Sequence, residues 1–322
     1  MTEMNLMEAV RAALMQTMED DPAVVVLGED VGLNGGVFRA TDGLQRIFGK
    51  DRVIDTPLSE SGIIGTSIGM AMNGLKPVPE IQFSGFIYPA LDQLASHASR
   101  IRTRTRGQRT CPITLRTPSG GGIRALEHHS ESEEGILCQI PGLKVVMPSN
   151  PYDAKGLLIA SIRDPNPVIF MEPKRIYRAA KGDVPSKSYE VPIGKAKVVQ
   201  QGNELTIISW GASIYEAMQA ANSSGFGAEI IDLRTISPLD IDAIIESVAK
   251  TGRALIVHEA PKNFSVGGEI AALINEKALT SLQAPVMRVC GFNTVFPLAK
   301  LEKYSLPSVA RIQQGINKVM SY

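Results

Sequence analysis

The sequence lacks the features that define several common classes of protein. Its three cysteines, Cys111, Cys138 and Cys290, lie far apart without CxxC spacing, which argues against a disulfide framework or a structural zinc site. No apolar run reaches the roughly 18–20 residues that cross a bilayer. The 33 basic and 33 acidic side chains give a formal net charge of zero. We therefore expect neither a membrane nor a nucleic acid as the main partner.

Signals for export and for common nucleotide sites are also missing. The first residues, MTEMNLMEAV, place acids before any base and do not resemble a secretory signal, so we expect a cytoplasmic location. No GxGxxG opens a helix after a strand, and there is no GxxxxGK[ST], so neither a nicotinamide site nor a P-loop is supported. The Gly120–Gly122 run would let the backbone approach a ligand closely, but it also suits a plain loop.

What the sequence does contain is a regular alternation of β-rich runs and helical patterns. The run AVVVLGED, residues 23–30, is typical of a strand buried on both faces of a parallel sheet. A first helix is predicted from apolar residues three or four apart: Met7, Val10, Leu14 and Met18. Further helices are predicted at Gly62–Asn73, Tyr88–Thr103 and Pro151–Ile162. The alternation predicts α/β architecture, with parallel-type sheets covered on both faces.

The pattern weakens after Lys174, where the chain becomes charged and contains Pro185 and Pro192. Alternation then resumes with ELTIISWG and continues to an amphipathic final segment, LPSVARIQQGINKVM. We therefore predict two α/β domains, residues 1–180 and a smaller one of about four strands over 201–322, joined by a linker or crossover over 181–200.

Two long segments resemble one known family. They are DTPLSESGIIGTSIGMAMNGLKPVPEIQFSGFIYPALDQL, residues 55–94, and the segment from PITLRTPSGGG to PYDAKGLL, residues 112–158. With VVVLGEDVGLNGG and IIDLRTISPLD, they make the whole chain similar to β subunits of the E1 component of 2-oxo acid dehydrogenases. The resemblance implies a thiamine-diphosphate pyrimidine-binding domain followed by a transketolase-like C-terminal domain.

The same resemblance gives Glu60 a chemical role. It implies that the Glu60 carboxyl group bonds to N1′ of the cofactor's aminopyrimidine. That contact favours the imino tautomer, whose 4′-nitrogen removes the C2 proton of the thiazolium ring. From its position alone, just before a glycine-rich helix, Glu60 would more simply be an acid favoured by the helix dipole.

Other residues of the expected pocket follow from the same match. Phe86 is implied to stack on the aminopyrimidine, although an isolated Phe would ordinarily be a core residue. Leu58 and Gln82 match positions that line the pocket. Glu29 matches an acid near its pyrimidine end.

A catalytic histidine is expected in the segment EHHSES. The family pattern selects His129, which would assist transfer of the acyl unit to the lipoyl group. His128 stands where the family has an apolar or aromatic residue, so which of the two rings faces the site is left open. An ordinary histidine without a catalytic role is the alternative.

A structural potassium ion is bound by some family members. The matching positions here are Cys111, Ile113, Thr114, Ser161, Asp164 and Asn166. Most of these ligands would be backbone carbonyl groups. The sequence Asp-Pro-Asn-Pro at 164–167 equally suits a turn with no ion.

The diphosphate half of the cofactor site is missing from the sequence. Thiamine diphosphate enzymes usually carry GDG and a later Asn that hold Mg²⁺ and the diphosphate, whereas Gly182-Asp183 here lacks the second Gly. The family therefore implies a separate E1 α subunit in an α2β2 heterotetramer. The second domain would pair with a second β subunit and dock the E2 lipoyl acyltransferase.

Several functions remain compatible with these motifs. Pyruvate and branched-chain 2-oxo acids are both candidate substrates, and an acetoin dehydrogenase β subunit would carry nearly the same motifs. A non-catalytic assembly or docking subunit of the same fold is a further alternative. Transketolase and deoxyxylulose phosphate synthase fit less well, because they hold both half-sites on one longer chain.

Overall fold

A computed structural model describes residues 1–322, with fourteen strands and eleven α-helices. The strands are β1 (Thr2–Asn5), β2 (Val24–Gly28), β3 (Val53–Asp55), β4 (Lys76–Glu80), β5 (Thr114–Ser119), β6 (Lys144–Val146), β7 (Val168–Pro173), β8 (Lys181–Val184), β9 (Lys197–Gln200), β10 (Leu205–Ser209), β11 (Ala228–Asp232), β12 (Thr235–Ser237), β13 (Ala254–Pro261) and β14 (Met287–Gly291). The helices are α1 (Leu6–Asp20), α2 (Leu44–Phe48), α3 (Glu60–Met72), α4 (Ile101–Arg104), α5 (Glu134–Cys138), α6 (Pro151–Arg163), α7 (Ser213–Asn222), α8 (Ile241–Thr251), α9 (Val266–Ala278), α10 (Glu302–Ser305) and α11 (Val309–Met320). None of the helices has both the length and the apolar character needed to cross a bilayer.

The strands form two main sheets. One has seven strands in the order β12-β6-β7-β5-β4-β2-β3, and the other has five in the order β14-β13-β10-β11-β9. Pairing is parallel except where β12 meets β6 and β9 meets β11. A separate antiparallel pair joins β1 to β8. This architecture confirms the prediction of two α/β domains.

The helix ends show why these segments form where they do. Asn5 and Glu8 make a capping box at the start of α1, where the Asn5 side chain accepts from the Glu8 N–H at 2.9 Å. Helix α6 begins at Pro151, and the Asn150 side chain accepts from the Asp153 N–H at 2.9 Å. Both helices lie where the sequence predicts them, and they pack against each other.

Three features of the fold differ from the sequence predictions. The helix expected over 88–103 is divided into a 3-10 segment from Ser84 to Ala90, a π-helix at Gln93–His97, a second 3-10 turn and the short α4. The stretch 181–200 contains two strands, because β8 pairs with β1 and β9 pairs with β11. The second sheet therefore has five strands, and β12 joins the first sheet instead.

A buried ionic network links the three central strands of the seven-stranded sheet, β4, β5 and β7. The Arg116 guanidinium on β5 lies 2.7 Å from carboxylate oxygens of both Glu80 on β4 and Glu172 on β7. Tyr177 donates its hydroxyl hydrogen to Glu172. All four residues are buried, so the three central strands are joined by charges that water cannot screen.

Candidate functional site

The candidate site lies where three parallel strands of the first sheet end. The register pairs Gly28 with Asp55 of β3 and with Glu80 of β4, so β2, β3 and β4 finish side by side. Ligands of α/β sheets bind at such carboxyl ends. The residues that follow these strands contribute Glu29, Glu60 and Gln82, and we call this region the site edge.

Within the site edge, Glu60 lies at the start of helix α3. It is the first residue of the helix, and Ser59 caps the same end by accepting from the Gly62 N–H at 3.3 Å. Partial burial raises the pKa of Glu29, and the nearby carboxylates of Glu60 and Asp30 raise it further. The structure therefore brings Glu29 and Glu60 together, although their positions are far apart in the sequence.

Gln82 and Leu58, the other two residues expected in the pocket, differ in how far they are exposed. Gln82 is half-buried, and its Nε2 lies 3.5 Å from Asp30 Oδ2, which ties it to the same acidic end. Leu58 is 77% exposed, so little of its apolar side chain is buried against other residues of this chain. A wall formed by Leu58 would have to be completed by a ligand or by another chain.

An aromatic cluster forms the neighbouring wall. The half-buried ring of Phe86 meets the His129 ring edge-on, with centroids 5.0 Å apart. Phe83 contacts both rings, at 4.4 Å from His129 and 5.5 Å from Phe86. Sequence reasoning missed Phe83, although its place in IQFSGF, three residues before Phe86, would put the two rings near each other on one helical turn.

The two adjacent histidines face different surroundings. The His128 side chain is 57% exposed and lies 3.8 Å from Glu131. His129 is half-buried, and its Nδ1 is enclosed without a hydrogen-bond partner. His129 is therefore the ring that belongs to the aromatic cluster, and its buried Nδ1 has no hydrogen-bond partner in the protein.

Buried ionisable groups behind the aromatic wall were not predicted from sequence. Burial raises the pKa of Glu133 to about 8, and neither carboxylate oxygen has a hydrogen-bond partner. Burial lowers the pKa of Lys174 to about 8, and its Nζ lies 5.7 Å from the Phe83 ring centroid. The acidic run SESEE, residues 130–134, would ordinarily be a solvated surface, so no local signal marks Glu133 as buried.

The expected potassium ligands lie around the start of β5 and the loop after α6. Cys111, Ile113, Thr114 and Ser161 are buried. The side chains of Asp164 and Asn166 already have partners, because Lys144 pairs with Asp164 and Arg102 donates to Asn166 at 2.9 Å.

The site edge suits the aminopyrimidine half of thiamine diphosphate. A neutral heteroaromatic ring needs an apolar face, and the half-exposed Phe86 ring provides one. Its ring nitrogen and amino group need polar partners, and Glu29 and Glu60 are acids of the kind that could meet this need at the site edge. The His129 ring, which packs edge-on against Phe86 with centroids 5.0 Å apart, places an imidazole beside that apolar face.

Comparisons with known proteins agree with the fold and the motifs. The family described as transketolase, pyrimidine binding domain matches residues 2–180, and transketolase, C-terminal domain matches residues 194–312. A solved structure named split gene transketolase, inactive beta4 tetramer, is similar with a TM-score of 0.79 over 99% of this chain and 98% of that one. Its identity of 20% shows the shared fold alone.

Curated relatives match over their whole length. Pyruvate dehydrogenase E1 component subunit beta of Acholeplasma laidlawii is 53% identical over 99% of this chain and 98% of its own. The proteins of that name from Bacillus subtilis and Mycoplasma pneumoniae are 48% and 49% identical, over 100% and 98% of both chains. The chain therefore belongs to the family of pyruvate dehydrogenase E1 component β subunits, which agrees with the motif-based prediction of a 2-oxo acid dehydrogenase E1 β subunit.

Proposed function

We propose that this chain is the β subunit of a thiamine-diphosphate-dependent E1 that oxidatively decarboxylates pyruvate and transfers the acyl group to lipoamide on an E2 acyltransferase. One observation supports this most: the carboxyl ends of β2, β3 and β4 bring Glu60 and Glu29 to one place. Pyruvate is favoured over branched-chain 2-oxo acids because the relatives described above carry the name pyruvate dehydrogenase.

Glu60 is the residue that activates the bound cofactor in this proposal. When bound, thiamine diphosphate supplies the carbon nucleophile that attacks the ketone carbon of the 2-oxo acid. The Glu60 carboxyl group holds a proton at N1′ of the aminopyrimidine. The Glu29 carboxyl, whose pKa is raised by partial burial and by the nearby carboxylates of Glu60 and Asp30, adds a second acidic group at the same end of the pocket.

The aromatic wall positions the ring and limits water. Phe86 supplies a flat apolar face for the aminopyrimidine, and Phe83 supports Phe86 from behind at 5.5 Å. His129, fixed edge-on against both rings, donates a proton or a hydrogen bond to the substrate or to the lipoyl group. Apolar surroundings strengthen such polar contacts because fewer water molecules compete with them.

The site is completed by another subunit in this proposal. An E1 α subunit supplies the GDG segment, the Mg²⁺ and the diphosphate contacts, in an α2β2 assembly with a second β subunit. The exposed Leu58 supports this, since its side chain is 77% exposed at the rim of the pocket. Ligand sites between chains are common for cofactors that need groups from two folds.

The test is reconstitution with the α subunit encoded beside this chain. We expect lipoamide-dependent decarboxylation of pyruvate, slower turnover of branched-chain 2-oxo acids, and none by either subunit alone. Glu60→Gln should keep the assembly and lower turnover by about 100-fold or more, because a proton-transfer group is removed.

Glu269→Gln is the matched control. Glu269 is also an acid in the first turn of a helix, α9, but it lies in the other domain. If the only role of Glu60 is a favourable interaction with the helix dipole, Glu60→Gln and Glu269→Gln will have similarly small effects on turnover. That outcome would refute the catalytic assignment of Glu60.

A further inference from the structure

A cavity opens between the two domains. Its volume is about 310 Å³, and its lining comes from residues between 130 and 139 of the first domain and from residues within 259–265 and 291–296 of the second. Glu29, Glu60, Gln82 and Phe86 do not line it, so it is separate from the site edge. Cavities of roughly this volume hold small organic molecules.

The charged groups that line this interdomain cavity are all acidic. They are the carboxyl groups of Glu131, Glu133 and Glu259, and no lysine, arginine or histidine joins them. Glu259 already has partners, because its Oε1 accepts from Arg175 Nη2 at 2.8 Å and its Oε2 accepts from the Gly121 N–H at 3.2 Å. The unbalanced acids of the lining are therefore Glu131 and Glu133.

Glu133 has no partner in the protein that accounts for its burial. The residue is 3% exposed, and neither carboxylate oxygen has a hydrogen-bond partner. The Ser84 hydroxyl donates instead to the Glu131 carbonyl group at 3.2 Å. The buried Lys174 ammonium also lacks a hydrogen-bond partner, so it does not pair directly with Glu133. Because an unpartnered buried carboxylate is costly, this group points to a ligand that donates hydrogen bonds.

Glu131, two residues earlier, is the second unbalanced acid. Its Oε2 atom is enclosed and has no hydrogen-bond partner. His128 Nδ1 lies 3.8 Å from that oxygen, which is too far for a hydrogen bond, and the His128 side chain is exposed to water. One short segment therefore presents two carboxyl groups to the same cavity.

Aromatic rings supply another part of the lining, from Tyr88, Phe292 and Phe296. Burial and the neighbouring carboxylates of Glu133 and Glu131 raise the pKa of Tyr88 to about 12, so its hydroxyl lies among the same acids. The Arg311 guanidinium lies 4.4 Å from the Phe292 ring centroid, so this ring already contacts a cation. Carboxylates together with ring faces are typical of sites for organic cations, because both attract positive charge.

We propose that the interdomain cavity binds an organic cation, whose ammonium or guanidinium group donates to Glu131 and Glu133 and packs against the aromatic rings. The cation is either a free small amine or a basic side chain of a partner chain, since the same chemistry recognises both. The chain has no group of three His, Cys, Asp or Glu residues placed to hold a metal ion, which favours an organic cation over a metal. An anion would be repelled by the lining.

The experiment measures cation binding to the reconstituted α2β2 complex, with thiamine diphosphate and Mg²⁺, at constant ionic strength. The pH is about 8.5, because burial raises the pKa of Glu133 to about 8 and its carboxyl group must be ionised. The probes are putrescine and methylguanidinium, with butanediol as the uncharged analogue of putrescine. For a free amine, isothermal titration should give saturable binding of the charged probes alone, at least about tenfold weaker in Glu131→Gln and in Glu133→Gln.

A basic side chain of a partner chain would give a different result in the same experiment. The free probes would not bind to the complex, because the cavity is already filled. Glu131→Gln and Glu133→Gln would instead each weaken the association of the subunits by at least about tenfold. Sedimentation velocity over a dilution series measures that association.

Glu127→Gln is the matched control. Glu127 lies in the same segment and its substitution removes the same charge, but it does not line the cavity. Probe binding and subunit association in this variant should equal those of the unmodified complex. Because binding and association are the readouts, the result does not depend on the proposed catalytic function.

Three outcomes would overturn the proposal. One is equal affinity for putrescine and butanediol, which would mean that the cavity does not select for charge. Another is that probe binding and subunit association are both unchanged in Glu131→Gln and Glu133→Gln, with native unfolding temperatures. The third is an equally large effect of Glu127→Gln, which would reduce the interaction to non-specific attraction by surface charge.

Discussion

The carboxyl ends of the two sheets differ in what they leave accessible. At the site edge of the seven-stranded sheet, Gln82 and Phe86 are half-buried and open to a ligand. In the five-stranded sheet, Trp210 stacks on His258 with ring centroids 4.9 Å apart. Cys290 Sγ lies 3.1 Å from His258 Nε2, and all three of these residues are buried.

The difference shows that reactive residue types alone do not make a site. Burial lowers the pKa of His258 to about 3 and raises the pKa of Cys290 to about 11. Both groups are therefore uncharged at neutral pH, and their contact is a neutral one. The second sheet uses a histidine and a cysteine for packing, whereas the first sheet exposes acids and aromatic rings at its edge.

The largest expected effect concerns the support beneath the site edge. Arg116→Met leaves the buried carboxylates of Glu80 and Glu172 without a cationic partner, so we expect a loss of about 3–5 kcal/mol in the free energy of unfolding. Urea denaturation monitored by circular dichroism measures this. We expect the same substitution to abolish turnover of the reconstituted enzyme, because strand β4, which Arg116 holds through Glu80, ends at the site edge.

Arg163→Met is the control for this prediction. Arg163 also bridges two carboxylates, those of Asp20 and Glu190, but all three side chains are about 40–48% exposed. Because water screens exposed pairs, we expect a loss of less than about 1 kcal/mol. Equal losses of unfolding free energy for Arg116→Met and Arg163→Met would contradict a special contribution of the buried network to the stability of the seven-stranded sheet.

The next effect concerns Glu134, which joins the two domains. Glu134 is buried and its Oε1 accepts from Trp210 Nε1 at 3.2 Å. Burial raises its pKa to about 7, so the folded state binds a proton that the unfolded state releases above about 4.5. Stability should therefore fall as the pH rises from about 4.5 through 7.

Glu134→Gln should remove part of this pH dependence. We expect the variant to match the unmodified chain near pH 5 and to be more stable at pH 8 by up to about 3 kcal/mol. Denaturation curves at the two pH values provide the measurement, with the exposed Glu276→Gln as a control. Parallel pH profiles for Glu134→Gln and the unmodified chain would contradict the assignment.

A smaller effect separates the two adjacent histidines. His129→Gln should lower turnover of the reconstituted enzyme by about 100-fold, because the ring in the aromatic cluster is removed. His128→Gln removes an exposed ring and should change turnover by less than about threefold. Steady-state rates with pyruvate and lipoamide measure the turnover of both variants. A larger loss of turnover in His128→Gln than in His129→Gln would assign the catalytic role to His128 instead.

Local patterns predict the regular elements well and the long-range pairings poorly. The spacing of Val10 and Leu14 predicts α1, and the apolar run before Gly28 predicts β2. Strand β8 depends on a partner at the other end of the domain, with Thr2 opposite Val184, so its own sequence does not reveal it. The predicted helix over 88–103 is interrupted by a π-helical segment at Gln93–His97 and a 3-10 turn at Ala98–Arg100, and nothing in the local residue pattern marks either interruption.

The site was predictable only where a motif marked it. The family motif marks both Glu60 and Glu29, and the structure adds that the Glu60 carboxylate is near enough to raise the pKa of Glu29. Nothing in the sequence near Lys174 or Glu133 indicates that both are buried, because each becomes enclosed only when distant segments pack together. Assignments that depend on burial therefore required the fold.

The most direct measurement of the central claim is a thiamine diphosphate titration in the presence of Mg²⁺. We expect saturable binding to the complex with the α subunit, weakened by Glu60→Gln, and no saturable binding to this chain alone, because the site edge would hold only the pyrimidine half of the cofactor. Isothermal titration of the isolated chain and of the complex decides this. Tight, Mg²⁺-dependent binding by the isolated chain would contradict it.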